Sequence, residues 1–154
     1  MSNLIIYYSR SGKTKLVSKI IQEEIGGTLV EIKDKTNRSG VFGCVKGALD
    51  AMLGSNTDIE PDYVDLTEYD IIYVGTPVWA SKPAPAIMKL LEKCDFNDKN
   101  IITFATMGGS GGDTTVKAMN NIIKKNNGKI LKSFSIITGD NGQIENLTKQ
   151  AIND

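Results

Sequence analysis

Three short stretches of the chain concentrate the groups that could bind or react. In the first, Ser9, Arg10, Ser11, Gly12, Lys13 and Thr14 stand between an apolar run and an amphipathic one. Hydroxyls and a glycine at the start of a helix present several backbone N–H donors at the positive end of the helix dipole, which suits a phosphate. The plainer role for Ser9 and Ser11 is to cap that helix. Two nucleotide motifs fail at this place. A Walker A loop needs glycine five positions before Gly12-Lys13-Thr14, where this chain has Tyr7, and the Gly-x-Gly-x-x-Gly of a dinucleotide fold is missing. A terminal monophosphate fits the stretch better.

The second stretch, Gly75, Thr76, Pro77, Val78 and Trp79, holds the single tryptophan of the chain. A tryptophan on a loop at the ligand edge of a sheet can stack on a planar ring, whereas one that only fills a core belongs inside an element. The third runs Thr106, Met107, Gly108, Gly109, Ser110, Gly111, Gly112, Asp113. Its four glycines let backbone approach a flat ligand closely, although a flexible loop without a ligand would read the same way. Asp113 reads as the N-cap of the next helix.

These stretches need a frame. Apolar runs at 4–8, 28–32, 71–74, 101–106 and 130–137 are short, and the central ones are continuously apolar, as strands buried on both faces are. Residues 13–25, 84–93, 114–126 and 143–152 carry apolar side chains at helical spacing, with Val116, Met119, Ile122 and Ile123 as one example. Alternation of the two kinds predicts an α/β fold with a parallel sheet. Residues 34–65 form an enlarged second crossover, with helical spacing over 41–53 and a loop holding Pro61. In such a sheet ligands bind outside the carboxyl ends of the strands, where all three stretches fall.

Composition narrows the chemistry. The 154 residues predict one domain over 1–154, with 40% hydrophobic and 23% charged residues. There is no histidine, so imidazole acid–base catalysis and His-ligated metal sites are excluded. Cys44 and Cys94 lie far apart and outside any Cys-x-x-Cys spacing, so neither a disulfide nor a metal is expected. Eighteen basic and eighteen acidic residues give a formal net charge of zero, which argues against nucleic acid as a partner. Without a membrane-length apolar stretch or a secretory leader, the expectation is a cytoplasmic protein.

In order and spacing the three stretches resemble those of the flavodoxin family, and the resemblance covers nearly the whole chain. Gly75-Thr76-Pro77-Val78-Trp79-Ala80, followed by Pro83-Ala84-Pro85-Ala86, is a form seen in flavodoxin-like proteins. The resemblance implies a three-layer sandwich whose five-stranded parallel sheet runs in the order 2-1-3-4-5 with helices on both faces. It implies one FMN, bound non-covalently. Ser9, Arg10, Ser11, Gly12, Lys13 and Thr14 would surround its phosphate, Lys13 and Arg10 being mostly solvated. Thr76, Pro77, Val78 and Trp79 would form the first ring loop, and Thr106, Met107, Gly108, Gly109, Gly112 and Asp113 the second. The implied function is electron transfer between a reductase and an acceptor protein, as a monomer or weak homodimer, with no catalytic residue and no metal. The alternative is an NAD(P)H-dependent FMN reductase of quinones or flavins, with Lys82, Arg10 or Lys46 binding phosphate or acceptor.

Several residues depart from the family pattern. Carriers of this family are usually strongly acidic, and this chain is neutral. The second ring loop has Met107 where an aromatic residue is common, leaving Phe42 as a candidate for the other ring face. Ala80 follows Trp79 where family members have a glycine near flavin N5, and alanine makes a positive φ costlier.

Overall fold

The structure, a computed structural model, describes residues 2–35 and 58–154. Its elements are β1 (Asn3–Tyr7), α1 (Lys13–Ile25), β2 (Thr28–Glu31), β3 (Lys33–Asp34), β4 (Ile59–Glu60), β5 (Ile71–Trp79), β6 (Lys82–Pro83), α2 (Pro85–Lys93), β7 (Asn100–Met107), α3 (Gly112–Lys125), β8 (Lys129–Ile137), a 3-10 turn (Asn141–Gln143) and α4 (Ile144–Asn153). The five long strands pair in parallel in the order β2-β1-β5-β7-β8, which is 2-1-3-4-5 when they alone are counted.

The continuous apolar strands follow from burial on both faces. Leu4, Ile5 and Ile6 of β1 are all buried and point alternately to opposite sides. One side packs Ile5, Tyr73 and Phe104 against Val17 and Ile21 of α1 and Ile144 of α4. The other packs Leu4, Ile6 and Ile72 against Ile87 and Leu90 of α2 and Met119 of α3. These two layers of helices hold the sheet between them and leave its carboxyl edge to the loops.

Several boundaries differ from the sequence expectation. The strand expected over 71–74 continues to Trp79, so Gly75, Thr76, Pro77, Val78 and Trp79 itself lie in β5 and not on a loop, and Trp79 packs partly against the core. Gly75 is a space requirement: a Cβ there would sit 2.1 Å from Cζ of Phe104, its neighbour on β7. Strand β7 likewise extends to Met107, which takes Thr106 and Met107 out of the glycine loop. Helix α3 begins at Gly112, two residues earlier than its apolar pattern shows, and α4 is preceded by the 3-10 turn. Finally, the enlarged crossover contains β3 and β4, paired antiparallel, which its polar sequence did not signal. The helix expected over 41–53, with Phe42, Cys44 and Lys46, lies outside the described residues.

Candidate functional site

Helix α1 starts behind Gly12, which sits in the left-handed region at φ 96°. Ser9 Oγ accepts a hydrogen bond from the Gly12 N–H at 3.1 Å and curls the loop. No side chain caps the helix and no acid occupies its first turn, so the positive end of the dipole is left for an outside anion. Ser11 is exposed and Arg10 half-buried. Two neighbours have partners of their own. Lys13 is half-buried, and its ammonium donates to Asn141 Oδ1 from the 3-10 turn in an exposed hydrogen bond. Thr14 is buried, and its hydroxyl shares a 2.8 Å hydrogen bond with the Thr106 hydroxyl.

At the end of β5, Thr76 is fully buried. Its hydroxyl donates to the Pro77 carbonyl and accepts from the Ala84 N–H, both at 2.9 Å, so it fastens the strand to the entry of α2. Trp79 is half-buried and meets Tyr8 edge-on, with ring centroids 5.6 Å apart at 90°. Strand β5 then reverses through Ala80 and Ser81 into β6, pairing Trp79 with Lys82. Ala80 (φ 51°) and Ser81 (φ 61°) are both left-handed, the conformation of a two-residue hairpin turn that usually uses Asn-Gly.

At the end of β7, Met107 is half-buried, and beyond it nothing lies within 4 Å of where side chains on Gly108 and Gly109 would begin. Gly111 takes φ 90°, and a Cβ on it would lie 2.9 Å from Val78 Cγ1 and 3.1 Å from Ser81 Oγ. Only glycine allows this close approach in this conformation. Gly112 opens α3 so tightly against β8 that a Cβ would overlap Ser135 Oγ at 2.2 Å. Asp113 is not the N-cap, which is Gly111; it lies exposed in the first turn, where its charge complements the dipole. A cavity of about 340 Å³, lined by Met107, Gly109, Gly111 and Asp113 among others, opens on this loop. Its size lies in the roughly 300–1,000 Å³ range of small-molecule sites.

The three stretches are joined in pairs. Tyr8, next to Ser9, touches Trp79; Gly111 packs on Val78 and Ser81; Thr14 bonds Thr106. Tyr8 had no mark in the sequence to separate it from the other aromatic residues of the apolar runs, and Asn141 lies 128 positions from Lys13. A larger hollow of about 620 Å³ lies at the opposite, amino-terminal edge of the sheet, between Tyr63 and Lys99. Two of its charges are engaged internally: Lys99 donates to the Thr67 and Tyr69 carbonyls, and Asp65 accepts from Thr67, whose bonds hold its carboxyl below the usual range. Burial pushes the Cys94 thiol there up to about 11, so it stays protonated near neutrality.

Among the described residues, no helix is long and apolar enough to cross a membrane, and no cluster of three or more His, Cys, Asp or Glu could hold a metal. The flavodoxin family model matches residues 47–147. A flavoprotein of Lactobacillus acidophilus NCFM, solved in complex with FMN, is 26% identical over 96% of this chain and 98% of its own, with a TM-score of 0.76. The apo-form of a flavoprotein from the same organism is 28% identical over 87% of this chain and 91% of its own, with a TM-score of 0.69. A protein of Bacteroides uniformis ATCC 8492 shares the fold, at 24% identity over 99% and 98% of the two chains and a TM-score of 0.79. No curated protein matches the sequence. With the family model covering about two thirds of its length and the sheet order 2-1-3-4-5, the chain belongs to the flavodoxin family.

Proposed function

We propose that the protein binds FMN at the carboxyl edge of its sheet and carries electrons between partner proteins. The observation that carries this reading is the pairwise joining of the three loops, which places an uncapped helix start, an aromatic ring and an open glycine backbone side by side. The residues fit the group. The N–H groups of the first turn of α1, with Ser9 and Ser11, would hold the phosphate, because an anion completes a helix start that has neither cap nor acid. Trp79, steadied by Tyr8, would lie along the ring, and the bare backbone of Gly108 and Gly109 would border it without side chains to obstruct it. The solved relative in complex with FMN supports the same ligand for this chain. When bound, FMN supplies one- and two-electron redox chemistry.

What this chain contributes is position. A carrier needs no acid–base side chain at the reacting atoms, and this chain has no histidine to provide one near neutral pH. At the end of β1 the Tyr7 phenol is kept protonated by burial and by Glu31, with its pKa pushed up to about 12. The experiment is to reconstitute apoprotein with FMN and follow NAD(P)H oxidation with and without a flavoprotein reductase. Reduction only through the reductase supports the carrier. Steady oxidation of NAD(P)H by the holoprotein alone, with a quinone or free flavin as acceptor, replaces it by the reductase reading, and failure to bind FMN overturns both.

A further inference from the structure

Residues 138–143, between β8 and α4, belong to none of the three loops, yet they touch two of them. The Thr138 N–H and hydroxyl both donate to the Met107 carbonyl, at 2.9 and 3.2 Å, at the root of the glycine loop. Gly139 lies against the Gly108 carbonyl, which is 3.7 Å from where a Cβ would be. Two residues on, Asn141 accepts from the ammonium of Lys13, the first residue of α1. The segment between is braced, since Asp140 Oδ1 accepts from the Gly142 N–H and the Asp140 carbonyl accepts from the Gln143 N–H, both at 3.0 Å.

We propose that residues 138–143 are a strut coupling the phosphate end of the site to its ring end, with Asn141 as the positioning residue. This rests on the FMN reading above. An anion at the start of α1 attracts the Lys13 ammonium, and that ammonium is hydrogen-bonded to the strut. Any displacement of Lys13 therefore changes the load on Asn141, and through the braced turn on the two hydrogen bonds that Thr138 makes to Met107. Coupling of this kind is reciprocal: phosphate bound at one end orders the glycine backbone at the other, and a ring bound there favours phosphate. The direct Thr14–Thr106 contact offers a competing route, so the test must separate the two.

The probe is inorganic phosphate added to apoprotein, read by backbone amide NMR. The expected result is that amides of 11–15 and of 108–112 shift together with one half-saturation concentration. In Asn141→Ala the first set should still shift and the second should not, while Asn141→Asp, which keeps an acceptor for Lys13, should restore the second. FMN affinity should fall about fivefold in Asn141→Ala, the lower end of typical coupling between two sites. Riboflavin affinity, which involves no phosphate, should stay unchanged. Asn141 is exposed, so the variants should fold. The strut is refuted if phosphate moves only residues 11–15, if the 108–112 shifts survive in Asn141→Ala, or if that variant loses FMN and riboflavin affinity equally. Absence of any shift at 11–15 removes the phosphate site itself, and the strut with it.

Discussion

The Thr14–Thr106 pair joins helix α1 to strand β7 through one hydrogen bond in a place that water does not reach: the two residues are 1% and 4% exposed, and their hydroxyl oxygens are 2.8 Å apart. Thr14→Val keeps the shape of the side chain but leaves the Thr106 hydroxyl buried without this partner, at a cost of about 1–3 kcal/mol. Thr106→Val should cost the same for the same reason. The double variant replaces both hydroxyls by methyl groups and strands neither, so it should lie within about 1 kcal/mol of the wild type. The two changes therefore couple by about 2–3 kcal/mol. Urea and thermal denaturation of the apoprotein measure this directly. For a domain of this size 1 kcal/mol corresponds to roughly 2–4 °C, so each single variant should melt about 2–12 °C lower and the double should recover most of the loss. The same series reports on function. With the Thr14 hydroxyl committed to Thr106, the double variant should keep FMN affinity within about threefold, whereas a hydroxyl that bonds phosphate would cost about tenfold or more on removal. Single variants within about 0.5 kcal/mol of wild type, or strictly additive costs, would refute the isolated pair.

Other consequences can be checked on the same material. Ser11→Asp adds a negative charge beside the uncapped start of α1, so FMN affinity in an equilibrium titration should drop by about tenfold or more, and an unchanged constant would remove this loop from the phosphate site. Wild-type apoprotein should quench both flavin and tryptophan fluorescence on binding; Trp79→Ala should leave the flavin substantially brighter, and equal quenching would show that Trp79 does not lie along the ring. Ser81→Gly relieves a left-handed Cβ at φ 61°, worth about 1–2 kcal/mol, against the about 0.5–1 kcal/mol that glycine loses in chain entropy, so a melt a few degrees higher is expected and a lower one would contradict the turn. Tyr7 has its pKa raised from 10.0 to about 12, first by burial and then by the charge and hydrogen bond of Glu31. The folded state holds that proton more tightly than the unfolded chain. Its contribution is therefore complete below about pH 10 and lost as pH rises toward 12, and Tyr7→Phe should flatten that decline in urea titrations taken across this window.

How much of this was legible in the sequence depends on the range of the interaction concerned. The five long strands stand out because a parallel strand covered on both faces is apolar at nearly every position: Leu4, Ile5 and Ile6 of β1 obey that rule, and β7 departs from it only at its first residue, Asn100, and at Thr103 and Thr106, buried hydroxyls that are hydrogen-bonded. The continuation of β5 through Gly75, Thr76 and Pro77 does not stand out, because glycine and proline read locally as punctuation. What overrides them is tertiary: Gly75 clears space for the Phe104 ring, and Ala84 satisfies the Thr76 hydroxyl. Asp113 shows the same limit from the other side. An acid before an apolar periodic run is the usual mark of an N-cap, but a left-handed Gly111 already turns the chain and moves Asp113 into the helix. Tyr8 and Asn141 were missed because their value lies in partners 71 and 128 positions away, Trp79 and Lys13, and no local pattern records such a contact.

The turn at Ala80 and Ser81 carries this reasoning to the site itself. Two-residue hairpin turns with both φ angles positive are built from Asn-Gly or Asp-Gly because a Cβ costs about 1–2 kcal/mol in that region, so Ala-Ser is a local rule broken twice in succession. Such a conformation persists only where its surroundings over-determine it. Here they do so on three sides. Trp79 before the turn is held by Tyr8, Pro83 after it is paired with Val78, and Gly111 presses against Val78 and Ser81 with no side chain between them. The glycine on the third loop and the strained pair on the second are thus one unit: a Cβ on Gly111 would collide with Val78 and crowd Ser81, and the turn would have to move. Gly75 to Pro77 within a strand and Ala80 with Ser81 in a glycine conformation lie beside the candidate ring site, whereas the other left-handed non-glycine residues among those described, Asn97, Asp98 and Asn127, are of the types that tolerate that conformation. In a sequence otherwise consistent with its fold, that is the distribution expected when geometry at a ligand edge outweighs local stability.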